Sequence, residues 1–163
     1  MAAVSISHMI WFIVAIIVAT STALAFVGVI NNISEGMEDI GDDSVGSMRT
    51  SARIINDPAS VPYNTSSSVI TFYLKNSGEY DIQTSSILLV VNGTALNSTT
   101  LSVNIIVNGP DFEYGSVAEL KGTVPNLREG VDYYAWVSVN GLSKGGYVGG
   151  SSEEEIHFRI KAL

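Results

Sequence analysis

The sequence predicts a mainly β protein: one long N-terminal transmembrane-type α-helix followed by an immunoglobulin-like antiparallel β-sandwich. Three observations carry that expectation. Met9 to Ile30 contains no charged residue; from Ile54 onward the apolar spacing changes from a helical period to a period of two; and turn-forming pairs punctuate the second part at short intervals. The boundary falls near Thr50, giving residues 1–49 as apolar helix and amphipathic stalk and residues 50–163 as an extracytoplasmic β domain. A length of 163 residues leaves room for the helix and one domain.

The run MIWFIVAIIVATSTALAFVGVI is 22 residues long. As a helix it reaches about 33 Å, enough to cross a hydrocarbon layer about 30 Å thick. A cleaved secretory signal would need a basic start and a shorter apolar core. Here the first Lys or Arg is Arg49, and although Ala23-Leu24-Ala25 has the shape of a cleavage site, the apolar run continues to Ile30. The expectation is therefore a retained segment without a charged leader. The positive-inside rule gives no orientation, because no basic residue flanks the core closely. Four N-x-[ST] sequons, Asn32, Asn64, Asn92 and Asn97, all follow the helix. Glycan on any of them would place the C-terminal part outside the cell. Asn32 lies too near the membrane to be used, leaving Asn64, Asn92 and Asn97 as candidate N-glycosylation sites. Within the helix, Ala15, Ala19 and Ala23 recur at i+4, with Gly28 near the far end. Such small residues are where apolar helices approach one another closely, although Ala is also common in any membrane helix.

Beyond the apolar run, Val29, Ile33, Met37 and Ile40 continue a helical stripe, so the helix is expected to extend as a stalk. Gly36 weakens it, and Gly41 and Gly46 read as ends rather than interiors. The acids Glu35, Glu38, Asp39, Asp42 and Asp43 lack the spacing of a calcium loop and read as a solvated face.

The strands follow in order. Arg53–Ile55 is a short first strand; Ile70, Phe72 and Leu74 then alternate with Thr71, Tyr73 and Lys75. Ile87–Val91 and Leu101–Val107 are more continuously apolar, as at a sandwich centre or a subunit contact. Val117–Val124 is mixed. Tyr133, Ala135, Val137 and Val139 alternate with Tyr134, Trp136 and Ser138, and Ile156, Phe158 and Ile160 alternate with His157, Arg159 and Lys161. Turns separate them at Asp57-Pro58, Asn76-Ser77-Gly78, Asn92-Gly93, Asn108-Gly109-Pro110, Pro125-Asn126 and Asn140-Gly141. About seven strands at this spacing fit a sandwich. Tyr134 and Trp136 are either partner contacts or part of a second buried face.

Chemistry is sparse. The chain has two histidines and no cysteine, which leaves little for a metal site or a nucleophile–base pair. No catalytic, metal or cofactor-binding residue is predicted, and the protein is not expected to be an enzyme. A formal net charge of -8 argues against nucleic acid as a partner. The glycine-rich segment Lys144–Gly150 lacks the phosphate-loop order and reads as a hairpin loop. Glu153, Glu154 and Glu155 enter a strand, so neighbours face opposite ways; they blunt an edge or meet a basic partner.

SISHMIWFIVAIIVATSTALAFVGVI, RIINDPASVPY and ITFYLKNSGEYDI together resemble the archaellum stator family called FlaG or ArlG. The resemblance covers the helix and the first third of the outer domain; after about Asn92 it rests on strand pattern alone. It implies a single helix in the archaeal cell membrane and a β-sandwich in the pseudoperiplasm. Self-association, a FlaF-like partner, the surface-layer protein and the archaellum motor components are its implied contacts. On that reading Met9–Ile30 is anchor, Asn31–Met48 spacer and Ile54–Leu163 the partner-binding domain. The alternative is an archaellin- or pilin-like filament subunit whose apolar helix packs in a filament core instead of lipid. A membrane-tethered binding module is a third possibility, which would need a ligand cleft.

Overall fold

A computed structural model of the chain describes residues 2–144 and 149–163. α1 occupies Ala2–Arg49. The strands are β1 (Ala52–Ile54), β2 (Val61–Asn64), β3 (Val69–Asn76), β4 (Leu88–Val91), β5 (Thr94–Leu96), β6 (Leu101–Val107), β7 (Val117–Thr123), β8 (Asp132–Asn140) and β9 (Ser151–Ala162). Two compact units result, residues 1–41 and 42–163. The central residues of the glycine-rich segment, 145–148, lie outside the described residues.

Gly36, Gly41 and Gly46 all lie inside α1, so the expectation that Gly41 or Gly46 ends the helix is corrected. A helical glycine costs only about 1 kcal/mol relative to alanine and does not stop a helix without a competing partner. The competing partners come later, from the β domain. The Arg49 carbonyl accepts from the backbone N–H of Glu79 (2.8 Å) and Tyr80 (3.3 Å), and the Ser51 carbonyl accepts from Ser77 (2.9 Å) and Gly78 (3.0 Å). Gly78 has no room for a side chain, because a Cβ there would overlap the Arg49 carbonyl. The last turn of α1 is thus held by the 77–80 loop, and the helix ends where those carbonyls find donors.

The nine strands form one curled sheet in the order β5-β4-β8-β9-β2-β3-β7-β6, with β1 also on β3. β9 joins the two layers: its length pairs with β8 from Ser151 to Arg159, and its end, Ile160 to Ala162, pairs with β2. The β2–β9 pairing is parallel, a departure from the wholly antiparallel expectation. β1 and β2 take successive halves of the same edge of β3, with Ala52–Ile54 on Asn76–Leu74 and Tyr63–Asn64 on Ile70–Val69. Asn56 fills the interval between them. Its side chain donates to the Thr71 carbonyl (3.1 Å) and accepts from the Tyr73 N–H (2.6 Å), replacing the missing strand. Where β1 faces the start of β9, the Ile54 N–H donates to Glu154 Oε2 (3.0 Å). An inward acid therefore serves the unpaired backbone of β1.

β2 and β5 are strands the sequence reading missed; one carries Pro62 and the other has three residues directly after the Asn92-Gly93 turn. Asn92 (φ 47°) and Gly93 (φ 82°) make the tight β4–β5 hairpin, where two consecutive left-handed residues match the strand twist. The core lies between the layers and includes Phe72, Leu74, Leu89, Leu120, Val137 and Phe158, all buried. Phe72 and Phe158 meet edge to face at 5.3 Å. Buried Asn76 organises one end: its amide nitrogen donates to the carbonyls of Tyr80 (2.9 Å) and Phe112 (2.8 Å), and its oxygen accepts from Gly78 N–H (3.0 Å).

Candidate assembly surfaces

α1 exposes nearly every large apolar side chain it carries, among them Ile10, Trp11, Phe12, Ile17, Leu24 and Phe26. No residue of its membrane-length apolar window is buried within the chain. The hydroxyls in its middle are internally satisfied: Thr20, Ser21 and Thr22 each donate to the carbonyl four residues back at 2.8 Å. The segment therefore presents almost no unpaired polar group to an apolar surrounding. Ala15, Ala19 and Ala23 form one row along the continuous helix. Gly28 lies five residues beyond Ala23, about 140° further around, so it belongs to a different face.

In the β domain, strand alternation places Tyr134 and Trp136 outward while Ala135, Val137 and Val139 are buried. The possibility of a second buried face does not hold for Tyr134, which is 43% exposed. Cross-strand register arranges this outer face in rows: Leu88, Ser138 and Glu153; then Ala95, Val90, Trp136 and Glu155; then Tyr134 and His157; then Asp132 and Arg159. Arg159 donates to both carboxylate oxygens of Asp132, at 2.5 and 3.1 Å. That hydrogen-bonded guanidinium holds the Asp132 carboxyl below its ordinary range, and the carboxylate raises Arg159 in turn. His157 Nε2 is 3.5 Å from Glu155 and well exposed.

The opposite outer face carries Arg53, Lys75 and Lys121, a grouping the sequence reading did not assemble. β1–β3 register sets Arg53 directly opposite Lys75, and β3–β7 register sets Thr71 opposite Lys121 and Tyr73 opposite Glu119. Lys121 pairs with Glu119 at 2.8 Å. The signal was nonlocal, because residues 22 positions apart became neighbours only through strand pairing.

The sequon residues Asn64, Asn92 and Asn97 are all exposed. Asn64 Oδ1 accepts from Ser66 and Ser67 N–H, and Asn92 sits in the hairpin turn. Asn97 Oδ1 accepts from the Thr99 hydroxyl (2.7 Å) and N–H (3.1 Å). Asn32 lies within α1. Among the described residues no group of three or more His, Asp or Glu side chains could hold a metal ion.

No curated protein matches the chain. Among solved structures it is similar to a native alpha-2-macroglobulin from Escherichia coli, spanning domain MG7 to the C-terminus (13% identity, 72% of this chain, 17% of that chain, TM-score 0.36). It is also similar to the E. coli chaperone DraB (17% identity, 69% and 55% coverage, TM-score 0.33) and to an ASH/PapD-like domain of human CEP192 (10% identity, 72% and 89% coverage, TM-score 0.32). The chain thus spans under a fifth of the first and about half of the second. The archaeal-type flagellin family matches residues 2–149, which include α1 and all of the β domain up to the start of β9. With nine-tenths of its length matched, the chain belongs to the archaeal-type flagellin family, a structural and non-enzymatic component of the archaellum.

Proposed function

We propose that the protein is a filament subunit of the archaellum, with the apolar part of α1 packed against sister helices in the filament core and the β domain, residues 50–163, outside the cell. The observation that supports this reading is the family match across both helix and β domain. The exposed apolar surface of α1 agrees with it, because such a surface needs either lipid or other helices to cover it. Ala15, Ala19 and Ala23 would form a close-approach row for those helices. Asn64, Asn92 and Asn97 would be glycan acceptors on the outer domain. Shearing filaments from cells and identifying the subunits by mass tests the proposal. Recovery of this chain in the filament fraction is the expected result; recovery only in detergent-extracted membranes would overturn it.

A second reading is a membrane-anchored stator that ties the motor to the cell envelope through FlaF-like or surface-layer partners. Its support is the sequence resemblance of α1 and the first third of the β domain, together with a helix long enough to span a bilayer. The same fractionation separates the two, since a stator stays with the membrane after shearing.

A further inference from the structure

We propose that the two outer faces of the β domain bind each other between successive copies of this chain: the aromatic and acidic face of one copy docks on the basic face of the next. The inference rests on the filament-subunit reading. The first face is built on β4, β8 and β9, where Trp136 stands in one cross-strand row with Val90 and Glu155, and Ser138 in the next with Leu88 and Glu153. Tyr134 extends the aromatic strip. On this face Asp132 is neutralised by Arg159 and Lys161 lies at the far end of β9, so the carboxylates of Glu153 and Glu155 are the excess charge beside Trp136, with the exposed His157 next to Glu155.

The second face is the reverse. Lys121 is matched by Glu119, leaving Arg53 and Lys75 as the excess. These two are directly opposite in register, and like charges so placed repel. Among the described residues no acid forms an ion pair with either. Arg53 and Glu153 line the same shallow groove between β1 and β9, yet no ion pair joins them. A chain with a net charge of -8 has eight basic residues, so setting two of them opposite each other is costly unless an anionic partner arrives.

The complementary partner is on the same molecule's other side. Glu153 and Glu155 point the same way two residues apart, about 7 Å, while Arg53 and Lys75 are about 5 Å apart across strands. Two carboxylates therefore meet two cations at similar spacing, with Trp136 and Tyr134 beside them to receive a cation on the ring face. The two faces are different surfaces, so the contact is heterologous. One copy's basic face remains available after its acidic face is used, and the contact propagates instead of closing into a dimer.

Cross-linking in filaments tests it. The chain has no cysteine, so Ser138→Cys with Val117→Cys, each beside the proposed charges, gives a clean background. A short bis-maleimide applied to filaments containing the double variant should give a ladder of covalent multimers, and either single variant should give none. Absence of a ladder, or dimers from a single variant, overturns the proposal. Charge reversal supplies a second measurement. Glu153→Lys with Glu155→Lys, or Arg53→Glu with Lys75→Glu, should each lower filament incorporation about tenfold, and all four together should restore it. Loss without restoration overturns the pairing. Wild-type chain absent from filaments defeats the subunit reading and this contact with it; wild-type chain present but no ladder defeats the contact alone.

Discussion

The two units of this chain solve the problem of apolar surface in opposite ways. The β domain buries its own: Phe72, Leu74, Leu89, Leu120 and Val137 are at most 1% exposed. Among its described side chains, the helix of the first unit buries no comparable residue; Phe12 is 68% exposed and Ile17 58%. A sheet curled on itself supplies a second layer for its inner face, whereas a single helix has no second layer. The β domain closes its core within one chain, and the apolar helix does not cover its own surface. Its missing surroundings belong to an assembly or a membrane, and family membership favours the assembly.

The contrast can be broken from either side. The largest expected effect is Phe72→Ala, which removes a ring packed on Phe158 and should lower β-domain stability by about 3–5 kcal/mol. Urea unfolding of the fragment 42–163 would measure it; a loss below about 1 kcal/mol would mean the core is not closed as described. Next is Ile17→Asp in the middle of the apolar run. It should leave β-domain unfolding unchanged while costing about 2.5–3.5 kcal/mol in an apolar environment, so incorporation into filaments or membranes should fall more than tenfold. Wild-type incorporation would show that this part of α1 faces water.

A third test concerns the seam. A fragment beginning at Thr50 should fold as an all-β domain but be about 1–3 kcal/mol less stable than one beginning at Asp42, because the N–H groups of Glu79 and Tyr80 lose the Arg49 carbonyl. Equal stability would mean the last helical turn is not held by the 77–80 loop. The smallest effect is a pH dependence. The carboxyl of Asp132 is lowered by Arg159, so the pair contributes above the ordinary aspartate range and is lost as the pH falls through the lowered value. Stability should fall slightly more steeply below about pH 4 in the native chain than in Asp132→Asn. Parallel profiles would rule out a contribution from the pair.

Much of the fold was legible because it is written in local period. An uncharged run of 22 residues fixes a long helix, and alternation at 70–74, 133–139 and 156–160 fixes which side chains face inward. β2 was illegible because Pro62 argues against a strand, and β5 because its three residues follow directly on the Asn92-Gly93 turn. The helix end was misread for another reason. Gly41 and Gly46 are weak local stops, while the donors that terminate α1 come from residues 77–80. The parallel β2–β9 pair was equally hidden, since it joins residues 99 positions apart. Tyr134 and Trp136 could be named from sequence, but whether they faced a core or the outside depended on how many layers pack on β8.

By itself, then, the sequence determined the apolar helix, the alternation of the longer strands, the turn at Asn92-Gly93 and the absence of cysteine. Each of these depends on residues within a turn or a strand of one another. Only the tertiary structure decided where α1 stops, that β9 bridges the two layers, and that Arg53 meets Lys75 on one face while Glu153 and Glu155 stand beside Trp136 on the other. Those facts depend on strand register. Register is set by burial across the whole domain, and a shift of one residue would turn every side chain of a strand to the opposite face.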